Sequence, residues 1–255
     1  MAGAMPSCQK TVSSTRSAYD RQFEDYPTYN GDDLELSVDS SGTNFRLWSP
    51  KAEEVTLNLY NEELGGEPYQ TIPMEFQKDN GTWTASLPEQ LYGKYYTFKV
   101  KHDGKWLAET PGVWAKAVGA NGKRAAIIDF SQTDPEGWGE DKGPKVENFS
   151  DVIVYEMHHR DFSMSPTSGI TNKGKFIALT EQGTVSPEGQ KTGIDHLKEL
   201  GVTHVHILPS YDYNSVDETA PEKNQYNWGY DPQNYNAPEG SYSTHPSDPA
   251  TRVKE

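Results

Sequence analysis

The chain has 255 residues, with 38 Asp and Glu against 23 Lys and Arg, for a formal net charge of −15 and a mean hydropathy of −0.84. That acidity disfavours a nucleic-acid partner, whose phosphates need clustered Lys and Arg, and no apolar run approaches the ~18 residues of a membrane-spanning helix. An aromatic content of 11% argues against disorder, because such rings need burial or a ligand over their faces; an acidic, aromatic-rich surface suits a neutral, hydroxyl-rich ligand.

The opening "MAGAMPSC" sets a small residue before Cys8, as lipoprotein signals do, without the charged and apolar regions of a signal peptide. Two readings stay open. One is the trimmed remnant of a lipoprotein leader, with Cys8 as candidate lipidation point and an extracellular, periplasmic or cell-surface location. The other is an added scar with an incidental thiol, and a cytoplasmic location. A lone cysteine rules out an intrachain disulfide and a Cys-based zinc site. Residues 1–39 lack periodicity and read as a tail or lead-in.

From residue 40 to 130 the pattern is that of short strands. "TNFRLWSP" and "EVTLNLY" alternate apolar with polar residues, "TWTASLP" follows an Asn80-Gly81 turn, and "KYYTFKVKHDGKW" holds a second turn at Asp103-Gly104. "RAAIIDF" (124–130) is expected as the last strand. Such spacing indicates an all-β, immunoglobulin-like sandwich of about 100 residues. Its Trp48, Trp83, Trp106 and Trp114 are candidate sugar platforms, although the alternation assigns Trp83 to the core.

Residues 131–150, dense in Gly, Pro and acids, read as a linker. Beyond it, "DVIVYEM" is a nearly continuous apolar run, expected as a strand buried on both faces. "TGIDHLKELG" spaces Ile194, Leu197 and Leu200 as a helix does and stops at Gly201. "VTHVHILP" supplies a second buried strand. Strand, helix and strand make a βαβ unit. A (β/α)₈ TIM barrel takes about 250 residues, so residues 151–255 can hold only its first βα units. The expected fold class is therefore multidomain: a sandwich followed by an incomplete barrel. "DPATRVKE" reads as the first turn of a further helix, with Asp248 as N-cap and Pro249 at the first helical position, and the chain is expected to stop short of the barrel's remaining strands.

Two histidine pairs invite a metal reading. His158 and His159 are adjacent and would point to opposite faces of a strand, a poor geometry for metal, so a structural role at the strand end is expected. His204 and His206 share a strand face but lack carboxylates or cysteines at ligand spacing; no metal site is assigned, and one of them is expected to line the barrel interior. The stretch "YNWGYDP" (226–232) carries more specific chemistry. A pyranose has an apolar C–H face and a rim of hydroxyls, and needs a flat aromatic beside fixed polar groups. Tyr230 followed by Asp231 offers both, with Trp228 and Asn227 as further candidates; packing within a long loop is the alternative for each.

Taken with "NYNAPEGSYS", "GVTHVHILPSYDY" and "VIVYEMHHRDFS", this heptapeptide resembles the bacterial type I pullulanases of the α-amylase superfamily. Residues 40–130 resemble the family-48 carbohydrate-binding module, with Thr110 in "ETPGVWAKAVGANGKRAAIID" replacing the usual Asp. The resemblance implies an α-1,6-glucan debranching hydrolase acting with retention on pullulan and on starch- or glycogen-like glucans, with maltooligosaccharides as smaller partners. It also implies that Tyr230 stacks on the sugar just before the cleaved bond, with Asp231 on its hydroxyls. Retention needs two carboxylates about 5 to 5.5 Å apart, which the superfamily carries on its fourth and fifth barrel strands. None here matches, so no catalytic residue is assigned and these 255 residues are expected to be inert. Trp106 matches a glucan-binding tryptophan of some family-48 modules, while Thr97 stands where those members carry lysine. A non-catalytic glucan-binding protein acting through the sandwich is the alternative. No cofactor is assigned; the superfamily allows calcium, with no carboxylate cluster in the sequence to mark a site.

Overall fold

The computed structural model describes residues 23–255; Cys8 and most of the lead-in lie outside the described residues. The sandwich strands are β1 (Glu35–Asp39), β2 (Gly42–Trp48), β3 (Glu54–Tyr60), β4 (Gln70–Pro73), β5 (Glu75–Gln77), β6 (Thr82–Leu87), β7 (Tyr95–His102), β8 (Lys105–Trp106) and β9 (Ala125–Ala126). One antiparallel sheet runs β1-β2-β6-β5, the other β4-β3-β7-β8, with β9 also on β7. β1 starts inside the stretch read as lead-in, because the alternation of Leu36 and Val38 already faces the core. The expected last strand shrinks to β9, after which only Ile127 stays in register, donating to the Lys94 carbonyl at 2.9 Å.

Alternation puts Phe45, Leu57, Leu59, Tyr96, Phe98, Val118 and Ile127 between the sheets, all fully buried. Each such side chain contributes about 1.5–3 kcal/mol through burial. Phe45, Tyr96 and Phe98 meet edge to face, with centroids 5.1 Å (Phe45–Tyr96) and 5.4 Å (Tyr96–Phe98) apart. Trp83 is buried as the pattern required, its indole N–H donating to the Ser49 carbonyl at 3.0 Å. Asp103 and Gly104 both take positive φ (49° and 70°), the backbone that a two-residue hairpin between β7 and β8 needs.

Beyond the mostly exposed 131–150 stretch, β10 (Val154–Met157) pairs in parallel with β11 (His204–Ile207). Between them lie α1 (His159–Met164) and α2 (Gly193–Glu199). α2 ends as its sequence indicates: Gly201 (φ 76°) donates to the Lys198 carbonyl and Val202 to that of Leu197, both at 3.1 Å. The expectation of a strand buried on both faces is corrected. Val154, Tyr155 and Glu156 are exposed and only Met157 is buried, and His204–Ile207 is likewise open. The run is apolar enough, but its sheet is two strands wide. What the structure shows is one parallel βαβ unit.

β12 (Tyr211–Tyr213) and β13 (Pro232–Pro238) then form an antiparallel pair with two breaks of register, and the connection between them carries the Tyr226–Asp231 loop. α3 (Pro249–Lys254) begins as read from sequence, the Asp248 carboxylate accepting from Ala250 N–H at 3.2 Å. Among the described residues no helix is long and apolar enough to cross a membrane.

Candidate functional site

The Tyr226–Asp231 loop is built from its own polar groups. Asn227 donates from Nδ2 to Asp231 Oδ1 at 2.6 Å and accepts the Gly229 N–H at 2.8 Å, so both ends of its amide hold the loop. Gly229 has φ 90°, and a Cβ there would run into the Pro209 backbone, so only glycine fits. Ser215 Oγ donates to the second oxygen of Asp231. Partial burial pushes the Asp231 carboxyl up, but the bonds from Ser215 and Asn227 outweigh it and leave the group below the ordinary range. Tyr230 is thereby presented outward at 66% exposure, beside a fixed, ionised carboxylate. Trp228 is also exposed and meets Tyr226 edge-on at 6.0 Å. Of the four residues singled out, Tyr230 and Trp228 are open to a ligand, whereas Asn227 positions Asp231.

His158 supports this loop from β10's end. Its Nδ1 accepts the Asp161 N–H at 3.4 Å, so Nε2 is the donor toward the Asn227 carbonyl at 2.8 Å, with the Tyr242 hydroxyl 3.1 Å away. His159 is buried against Phe176 and Tyr242, and desolvation, with a smaller effect from His158, pulls it down to about 4. The expectation that the pair occupies opposite faces of a strand is corrected: His158 caps α1, His159 is its first residue, and both rings pack against Tyr242, at 6.0 and 5.2 Å. His206 lies 3.2 Å from Glu156, both exposed, and His204 bonds Thr203 at 2.9 Å.

Under β12 and β13 the structure assembles a cluster that the sequence did not reveal. Asp212, Glu218 and Glu239 are buried, each with a carboxylate oxygen within 4.8 Å of the others. Arg252 of α3 closes on Glu218 at 2.5 Å, with both side chains sealed from solvent. The sandwich's Gly119–Gly122 turn inserts here: Asn121 N–H donates to Glu218 at 2.7 Å, and Asn121 Oδ1 accepts the Glu218 N–H at 2.8 Å. Glu239 accepts from the Ser241 and Tyr213 backbone at 2.9 and 3.1 Å. Desolvation lifts Asp212 to about 7, and desolvation with the Glu218 charge lifts Glu239 to about 8. The fold thus builds a carboxylate cluster that the sequence did not mark; Asp212 Oδ1 has no partner among the described residues, but the other oxygens are already taken. The Arg252 guanidinium supplies its positive charge, and backbone N–H groups occupy the Glu218 and Glu239 oxygens. Spacings of 6 and 21 residues carry no ligand pattern, so sequence reading had no signal for it.

In the sandwich, Trp106 is 40% exposed, with Lys101 Nζ 5.8 Å from its ring centre. Thr97 is buried beneath Glu109, which accepts from Thr97 Oγ1 at 2.8 Å and from the Tyr60 hydroxyl at 2.5 Å. Arg124 stacks on Tyr60 at 3.5 Å. The surface at Thr97 is closed by that network.

Residues 31–120 match carbohydrate-binding module 48 (isoamylase N-terminal domain). The pullulanase of Bacillus subtilis (strain 168) is 36% identical over 233 residues, covering 91% of this chain and 31% of that protein. Chloroplastic pullulanase 1 of Arabidopsis thaliana is 29% identical, over 84% of the chain and 25% of its own length. The crystal structure of pullulanase from Paenibacillus barengoltzii, in complex with maltohexaose and α-cyclodextrin, superposes with a TM-score of 0.88 at 48% identity, covering 93% of this chain and 36% of that one. Over 91% of its length the chain is thus similar to pullulanases, and it spans about a third of the length of these bacterial relatives.

Proposed function

We propose that the chain is part of an α-1,6-glucan debranching hydrolase of pullulanase type I, acting with retention on pullulan and branched starch- or glycogen-like glucans, and that its Tyr230 loop grips the substrate. The observation that carries this is Tyr230, exposed on a loop that Asn227, Gly229 and Ser215 hold rigid. A fixed ring binds the C–H face of a sugar at little entropic cost, and Asp231, kept ionised, accepts hydroxyl protons. β10 and β11 are taken as the first two strands of a (β/α)₈ barrel, which sets the loop at the C-terminal face where such enzymes act.

This stretch supplies binding and not bond cleavage. The clustered carboxylates are all buried, Glu218 bonded by Arg252 and the Asn121 N–H, Glu239 by backbone N–H groups and Asp212 by the Asn234 amide, so they are closed off from a glycosidic oxygen. Incubated with pullulan, the 255-residue chain is expected to release no reducing sugar above a buffer control, and measurable turnover would refute this. Tyr230→Ala is expected to weaken maltohexaose binding at least about tenfold, as loss of a stacking anchor does; unchanged affinity would reject the loop's role. Loss of binding in Trp106→Ala instead would favour a non-catalytic glucan-binding protein acting through the sandwich.

A further inference from the structure

We propose that the sandwich carries a second α-glucan site, a cleft walled by Tyr29, Trp48 and Trp114, separate from both the Tyr230 loop and Trp106, with Glu35 as its positioning residue. The cleft has a volume of about 500 Å³, with Leu34 and Leu47 completing its apolar lining. It takes only the identity of its ligand, an α-glucan, from the function proposed above.

The walls are set before any ligand arrives. The Trp48 indole donates to the Pro27 carbonyl at 3.0 Å. The Tyr29 hydroxyl donates to Asp33, and Arg46 lies 4.9 Å from the centre of the Tyr29 ring while bonding Asp33 at 2.9 Å. Opposite them, Trp114 and Val113 leave 52% and 75% of their surfaces exposed. Fixed rings facing an open cleft suit the C–H faces of a pyranose. Thr28 and Asn30, both exposed at the rim, suit its hydroxyls. The net charge of −15 repels an anionic occupant.

Glu35 explains how the exposed wall is held. It has φ 73°, a conformation that side-chain-bearing residues rarely adopt, and it is 2% exposed. Its Oε1 accepts the Val113 N–H at 3.0 Å, while Oε2 makes no hydrogen bond of ordinary geometry among the described residues, with the Trp114 N–H the nearby donor that faces the carboxyl. The carboxylate fills the space where a side chain at position 112 would lie, so Gly112 is required beneath it. Backbone strain and an oxygen without an ordinary hydrogen bond thus coincide at one residue, and strain of this kind gathers at functional sites. A glycine at position 35 would take this φ without strain, so the sandwich could fold without Glu35. What the glutamate adds is a pin on the Val113–Trp114 wall.

The test is a maltohexaose titration of the ¹⁵N-labelled chain followed by NMR. Two groups of amide shifts are expected, one around residues 29–35 and 113–115, the other around 227–231. Trp114→Ala should abolish the first group and leave the second, Tyr230→Ala should do the reverse, and Trp106→Ala should alter neither. Cleft shifts without loop shifts would support this site and reject the loop reading; loop shifts alone would overturn this site and leave the loop standing. Glu35→Gly separates positioning from fold maintenance. Cleft affinity should fall at least about fivefold, while the urea midpoint holds or rises as strain is relieved. A lowered midpoint, or unchanged affinity, would overturn the positioning role. Cleft shifts that follow protein concentration in the absence of sugar would instead identify a second copy of the chain as the occupant, and would also overturn the proposal.

Discussion

Among the described residues, Arg252 is the one basic side chain bonded to Glu218 inside a pocket of three acids, and it reaches the Pro246 carbonyl as well, at 2.6 Å. Arg252→Met keeps most of the volume and removes the charge, leaving Glu218 buried and uncompensated. Stability should fall by about 3–5 kcal/mol, read as a shifted urea midpoint; a change below about 1 kcal/mol would show that the acids are held neutral without it. Gly229→Ala should cost more than about 1 kcal/mol through its φ and its approach to Pro209, and should weaken maltohexaose binding by displacing Tyr230; wild-type affinity would contradict this. Residue by residue, contiguous chemistry was legible in the sequence and dispersed chemistry was not. Tyr230 and Asp231 are neighbours, so their proposed pairing could be read from the chain, whereas Glu218 and Arg252 are 34 positions apart and meet only in the fold. Glu35 sits in a polar stretch whose composition gives no hint of a positive φ.

Elements were legible where one period ruled. Alternation and Asn-Gly or Asp-Gly turns marked β2, β3, β6 and the β7–β8 hairpin, because in a two-sheet sandwich the pattern of one strand fixes which side is buried. The apolar run at β10 revealed a strand but not its surroundings, since burial depends on neighbours that a strand's own residues cannot specify. The open β10–β11 pair should therefore exchange its amides quickly while β3 and β7 stay protected. Hydrogen exchange followed by mass spectrometry checks this, and uniform protection would contradict it. β1 was missed because Leu36 and Val38 sit among acids and serines, too few apolar residues to stand out from a lead-in.

At the scale of the whole molecule, three acids among the described residues carry raised folded-state values: Glu35 at about 7, Asp212 at about 7 and Glu239 at about 8, each lifted mainly by desolvation. Unfolded, these groups release their protons near 4. Between about pH 4 and 8 these three groups hold more protons folded than unfolded, and their contribution to stability falls as pH rises through that window; His159, drawn down to about 4 by burial, opposes them below about pH 6.5. The charges facing the buried pair are Glu218 and Arg252, with Lys123 farther off; Glu35 faces the Val113 and Trp114 N–H groups. Melting temperature should be higher at pH 5.5 than at pH 8.5, and Glu35→Gln should reduce the difference. A higher melting temperature at pH 8.5 would contradict the assignment.

The Gly119–Gly122 turn has a consequence for synthesis. It belongs to the sandwich, yet its Asn121 bonds Glu218, whose own charge is met by Arg252. On a ribosome adding roughly 5–20 residues per second, the sandwich emerges many seconds before α3. The nascent domain should close its two sheets early and hold this tip unlatched until the distant arginine has been made.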